Sequence, residues 1–182
     1  KALTDETGSR VLFSYGTGAE KGNGSLAAAR LDAMCEGRDL TAITQTKGTG
    51  YMFGLQTGMP FWGRTWKLLR EMSFEDRLAA IRDDEMVAKL AREGERMDHV
   101  PLHNVFYLGA EETPNLSAAF SDHVGKQCQQ TGERFVDLFL RLTRETNGKA
   151  LFNWRMFSQN LDEVADLFKS DNIFPSLGDA GA

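Results

Sequence analysis

Cysteine and histidine are scarce in this chain, no apolar run is long, and neither sign of charge dominates. Each shortage closes off a class of function. The two cysteines, Cys35 and Cys128, stand far apart with no CxxC or Cys/His spacing. A disulfide framework or a zinc knuckle needs closer and more numerous partners, so both read as buried or surface thiols. The three histidines, His99, His103 and His123, show neither an HxH nor an HExxH spacing. His99 and His103 are four apart and could share a helix face, but Pro101 between them argues against that helix and so against a metal-binding pair. No stretch approaches the roughly 20 apolar residues that span a bilayer. The opening residues Lys1 to Arg10 are too polar for a signal peptide, so the expectation is a soluble, cytoplasmic protein with no membrane partner. Net charge is −5 with acidic and basic residues interspersed. Without a basic stripe to track a phosphate backbone, nucleic acid is not an expected partner.

What is present is an apolar fraction of 41% in 182 residues, enough to bury one substantial core, as one domain or a large part of one. The run Val11 to Tyr15 is apolar and aromatic and stops at Gly16, a strand signal. Leu26, Ala29, Leu31, Ala33 and Met34 recur at helical spacing within Ser25 to Glu36, and Gly37 is a natural stop. Leu40 to Thr44 predicts a second strand, giving the strand, helix, strand order of a parallel sheet. Gln45 to Pro60 is rich in glycine and predicts a long ordered loop. Helices are expected over Trp62 to Met72, from Ser73 to Arg82 with a Ser73/Asp76 capping box, and from Asp83 to Gly94. A strand over Asn104 to Leu108 follows, then helices at Asp122 to Gln130 and Glu133 to Thr146, a strand at Ala150 to Trp154, a helix capped by Asn160 with Glu163 at its third position, and a last strand at Ile173 to Leu177. The fold class expected is α/β, parallel strands alternating with helices.

Alternating strands and helices, with glycine-rich material after the strand ends, is how a (β/α) barrel presents a site, although an open α/β sheet does the same. The terminal segment Leu177-Gly178-Asp179-Ala180-Gly181-Ala182 sets a carboxylate between small residues just beyond an apolar strand, where backbone can approach a metal or substrate closely. Asp179 also reads as a turn residue before Gly181. Gln45 and Lys47 admit a plain reading too, a polar strand end followed by a solvated lysine. Gly48 and Gly50 form a GxG without the strand-to-helix setting of a dinucleotide site. Phe61, Trp62 and Trp66 read as packing.

The Leu177 to Ala182 segment resembles the end of the final barrel strand in the amidohydrolase family of N-acyl-D-amino-acid deacylases, the D-aminoacylases. There the motif runs Ser-Asp-Ala/Gly-Gly-Ala-His. Gly178 stands where serine is common, and the sequence stops one residue before the histidine. Thr44-Gln45 leading to Gly50-Tyr51-Met52-Phe53-Gly54-Leu55 is similar to a strand and loop of one branch of the family. The helices from Trp62 to Arg92, the strand entry Asn147 to Leu151 and the helix Asn160 to Phe168 follow its order. The resemblance implies a partial (β/α)8 barrel, its C-terminal sector, with a long loop and helical insertion at about 45–100. It implies that Asp179 lies beside a catalytic metal, most simply zinc, as ligand and proton carrier. Gln45, Lys47 and Tyr15 would bind substrate. The implied substrate is an N-acyl-D-amino acid or a related amide. It further implies that residues 1–182 are a fragment of the barrel domain, lacking the first-strand His-x-His ligands, and that the chain self-associates or binds companion chains. One departure opens a second reading. The family's Ser-His ligand motif falls on the strand that corresponds to Val11 to Tyr15, and this sequence has Tyr15, a poorer zinc ligand, at or next to the histidine position. A non-catalytic barrel relative that binds a small ligand or protein partner through Gln45 to Gly58 is the alternative.

Overall fold

The computed structural model describes residues 2–95 and 100–176, which fall into two compact units, one joining residues 1–49 with 156–182 and the other spanning Gly50–Arg155. In the first unit, α1 (Ala2–Thr7) precedes β1 (Val11–Ser14), α2 (Asn23–Cys35) and β2 (Leu40–Gln45); α8 (Leu161–Leu167) and β6 (Ile173–Ser176) complete it. The strands form a parallel sheet in the order β1-β2-β6, with Val11 opposite Leu40, Ala42 opposite Ile173 and Gln45 opposite Ser176.

Period-two alternation decides what each face of this sheet does. Val11, Phe13, Leu40, Ala42 and Ile173 pack on Ala27, Ala28 and Leu31 of α2 and Leu167 of α8. Burying a leucine such as Leu31 contributes about 1.5–3 kcal/mol. The intervening residues look the other way. Leu12 is 63% exposed and Phe174 54%, so one face of a parallel sheet stands open to solvent. Parallel sheets are ordinarily covered on both faces.

The helix layer is held by a crossing carboxylate. Glu163, in the first turn of α8, accepts hydrogen bonds from the backbone N–H groups of Gly22 (3.1 Å) and Gly24 (2.7 Å) at the start of α2. Those donors have no partner inside their own helix, and the N-terminal dipole favours the negative charge. Close approach requires glycine at residue 24, since a Cβ there would overlap the Glu163 carbonyl oxygen. Asp32 fastens the other end of α2. It accepts from the Ser170 hydroxyl at 2.5 Å and the Asn172 amide at 2.9 Å, which hold its carboxyl below its ordinary pKa.

The second unit holds α3 (Arg64–Glu71), α4 (Phe74–Ala80), α5 (Asp84–Gly94), β4 (Val105–Gly109), α6 (Val124–Thr131) and α7 (Phe135–Glu145). Its sheet, ordered β3-β5-β4, is built from β3 (Thr49–Gly54), β5 (Leu151–Phe157) and β4. An aromatic core fills it. Phe53 stacks on Phe152 at 5.4 Å and Phe61 on Trp66 at 4.3 Å, while the Trp66 indole donates to the Leu90 carbonyl. Phe61 and Trp66 are packing residues as expected; Trp62 is instead 71% exposed, with Arg70 above its ring.

Two expectations are corrected here. Parallel pairing of adjacent strands holds for β1, β2 and β6 but fails for β4 and β5, which are antiparallel, Phe106 facing Asn153 and Tyr107 facing Phe152. A short apolar run encodes burial and leaves strand direction unspecified. The loop expected at Gln45 to Pro60 contains strand β3. There Tyr51, Met52 and Phe53 outweigh the flanking glycines, and Gly54 is needed because a Cβ would press on the Ala150 carbonyl. Among the described residues the parallel sheet has three strands and does not close into a barrel.

Candidate functional site

A cavity of about 480 Å³ lies at the carboxyl edge of the parallel sheet, within the first unit. Four short segments line it: Ser14 to Gly18 after β1, Ile43 to Gln45 at the end of β2, Met156 to Gln159, and Ser176 at the end of β6. Strand polarity puts them together, because parallel strands end at one edge and their following loops converge there. Register adds detail. Gln45 and Ser176 are partners across β2 and β6, and Ser14 is the partner of Ile43, so both pairs stand on the open face of the sheet.

The rim is fastened by backbone carbonyls. The Tyr15 N–H donates to the Ile43 carbonyl at 3.0 Å, and the Ser158 hydroxyl donates to the Gln45 carbonyl at 3.4 Å. The Asn160 amide donates to the Ala19 carbonyl at 2.9 Å, which ties the loop after β1 to the start of α8. Its side-chain oxygen meanwhile accepts from the Asp162 N–H, so Asn160 is the helix cap expected of it.

Of the residues singled out in the sequence, Tyr15 and Gln45 meet at this cavity. The Tyr15 hydroxyl is occupied, donating to the Ala27 carbonyl of α2 at 3.3 Å, and its ring meets Phe13 edge-on. Lys47 is exposed and is not on the lining. Asp179 and His99 lie outside the described residues. His103 and His123 belong to the other unit, where the His123 Nδ1 caps α6 by accepting the Lys126 N–H at 3.1 Å. Cys35 and Cys128 are free thiols, and burial pushes the pKa of each upward, the behaviour of packing cysteines.

The sequence reading did not single out Ser14, Ser158, Ser176, Met156 or Phe157. For Ser14 a signal was available: strand alternation sets it opposite in sense to Phe13 and Tyr15, the residues that pack on the helices. For Met156 and Phe157 there was none, since they end a strand whose length the local pattern underestimates. Among the described residues, none of the thirteen that line the cavity carries a formal charge; hydroxyls, two glutamine amides and apolar side chains make up this part of the wall. Such a surface can donate and accept hydrogen bonds and seat an apolar group.

Comparison with family models, curated proteins and solved structures gives no match for this chain. Among the described residues no helix is long and apolar enough to cross a membrane.

Proposed function

We propose that this chain is a sector of a (β/α)-barrel amide hydrolase of the N-acyl-D-amino-acid deacylase type. The observation that carries the reading is the cavity at the carboxyl edge of β1, β2 and β6, where barrel enzymes keep their chemistry. Two further features support it. The order β1-α2-β2 and α8-β6, with α2 and α8 packed on one face, is the repeating unit of such a barrel. The open apolar face at Leu12 and Phe174 is the side that the remaining barrel strands, or companion chains, would cover.

Asp179 follows Ser176 by three residues in the sequence. In this reading its carboxylate takes a proton from the attacking water as the new C–O bond forms at the amide carbonyl. It returns that proton to the amine nitrogen as the C–N bond breaks. The Gln45 amide and the hydroxyls of Ser14 and Ser176 orient the amide by hydrogen bonds. Zinc is the metal that the resemblance implies. Among the described residues, however, no three His, Cys, Asp or Glu side chains stand together, so they do not make a zinc donor set, and no step is derived through the metal.

The test is Asp179→Asn in the full-length protein, assayed on N-acyl-D-amino acids and neutral amides. A drop in kcat of roughly 10²–10⁴ with an unchanged circular dichroism spectrum is expected. Wild-type kcat in the variant would remove the assigned role. The rival reading, a non-catalytic relative that binds a small ligand or partner, is favoured by one observation: the Tyr15 hydroxyl, at the position of the family's ligand motif, is already engaged by the Ala27 carbonyl. Absence of any turnover by the wild type would bring that reading forward.

A further inference from the structure

We propose that Asn147, in the Asn147-Gly148 pair that follows α7, is a site of spontaneous deamidation through a succinimide, with the Arg82 guanidinium stabilising ring closure. The site lies in the second unit and is independent of the hydrolase reading. An asparagine followed by glycine offers this chemistry the least steric resistance, because the residue that supplies the attacking nitrogen has no Cβ. The chain holds two such pairs, Asn23-Gly24 and Asn147-Gly148.

Water is the only co-reactant. The Gly148 nitrogen gives its proton to solvent base and bonds to Asn147 Cγ, while the carbonyl electron pair moves onto Oδ1. That pair returns as the Cγ–Nδ2 bond breaks, and Nδ2 leaves with a proton as ammonia. Water then opens the ring at either carbonyl, giving aspartate or isoaspartate. The oxygen that takes the charge already faces a cation, since Asn147 Oδ1 accepts from the Arg82 guanidinium at 2.9 Å. Asn147 is exposed, and its φ of 51° places it beyond the helical backbone of α7. The Gly148 N–H must first leave the Thr143 carbonyl, at 2.8 Å a neutral bond at a helix end, where helices fray.

The same pair in the first unit is locked. Asn23 opens α2, and the buried Gly24 N–H donates to the Glu163 carboxylate at 2.7 Å, a charge-assisted bond. Removing a proton from a nitrogen held against a carboxylate is opposed by like charge, and freeing it leaves a buried acceptor short of a donor. The two products at residue 147 differ in consequence. Aspartate would pair with Arg82 at the surface. Isoaspartate adds a backbone carbon beside Gly148, where even a methyl would press on Leu55, Phe74 and Leu78, so it loosens the core of the second unit.

The experiment is prolonged incubation of the 182-residue chain at mildly alkaline pH and physiological temperature, followed by peptide mapping in a mass spectrometer. Deamidation at Asn147 is expected to run at least about tenfold faster than at Asn23, one decade in rate. Arg82→Gln, at an exposed position where folding is not at stake, should slow Asn147 roughly fivefold, the usual net worth of one hydrogen bond, and leave the Asn23 rate unchanged. Asn23 reacting as fast as Asn147, or no reaction at Asn147, would overturn the proposal. An Asn147 rate unchanged or raised in Arg82→Gln would remove the role given to Arg82.

Discussion

A glutamate at the third position of a helix commonly turns back to its own N-cap; Glu163 crosses to the neighbouring helix instead. Its sequence neighbours predicted the capping box with Asn160, and the Asn160 half of that expectation is met by the bond to the Asp162 N–H. Glu163 is drawn away because α2 begins with Gly22 and Gly24, whose N–H groups have no side-chain cap and lie within reach. Nothing in the local sequence of α8 encodes that partner, which is more than 130 residues distant. Glu163→Ala should therefore cost about 1–3 kcal/mol, the usual penalty for leaving buried donors unpaired. Gly24→Ala should destabilise by about 1–3 kcal/mol for a steric reason, since the added methyl must push α2 from α8. Urea denaturation of the two variants checks both figures. A loss below about half a kcal/mol in either would mean that the two helices are held by something else.

Most helices and most strands were legible in the sequence because each carries its own period and punctuation, whereas α1 was not. Ser73 accepts the Asp76 N–H and Asp83 accepts the Met86 N–H, so both helix starts lie where the capping residues predicted. What local pattern omits is direction and partner: β4 and β5 read as strands, but not as an antiparallel pair, and β3 was hidden by its glycines. The candidate site was half legible for the same reason. Gln45 could be read as a polar strand end, whereas Met156 and Phe157 reach the cavity by a fold-level route. The α6 cap yields a prediction of its own. The pKa of His123 is lowered, first by burial and then by His103 and Lys126, against an opposing effect of Asp122. Its neutral Nδ1 is the acceptor of the cap, so the native state disfavours protonation. The cap therefore contributes fully above the ordinary histidine pKa of about 6.5, and its contribution is lost as pH falls through the depressed native value. Melting temperature should drop as pH falls below about 6.5, and His123→Asn, which can cap without titrating, should flatten that part of the profile. An unchanged profile in the variant would assign the pH dependence elsewhere.

At the scale of the whole molecule, two units share one chain, and only one of them is continuous in sequence. Gly50–Arg155 has its own aromatic core around Phe53, Phe61, Trp66, Phe139 and Phe152. Expressed alone, this span should melt cooperatively with near-native circular dichroism; a gradual, non-cooperative transition would show that it depends on the rest. The open sheet face carrying Leu12 and Phe174 leads to a different expectation. The 182-residue chain should self-associate at micromolar concentration, and Leu12→Asp with Phe174→Asp should return it to monomer in light scattering. A monomeric wild type would mean that the face is tolerated bare. The discontinuity of the first unit also orders events during synthesis. On the ribosome β1 and β2 emerge early, but their sheet cannot add β6 until residue 176 is made. The intervening unit has time to fold meanwhile, which shortens the effective loop between Gln45 and Ser176 and lowers the entropy cost of closing it. If the Gly50–Arg155 span does fold alone, the cost of bringing β6 to β2 falls on a shorter stretch of unfolded chain.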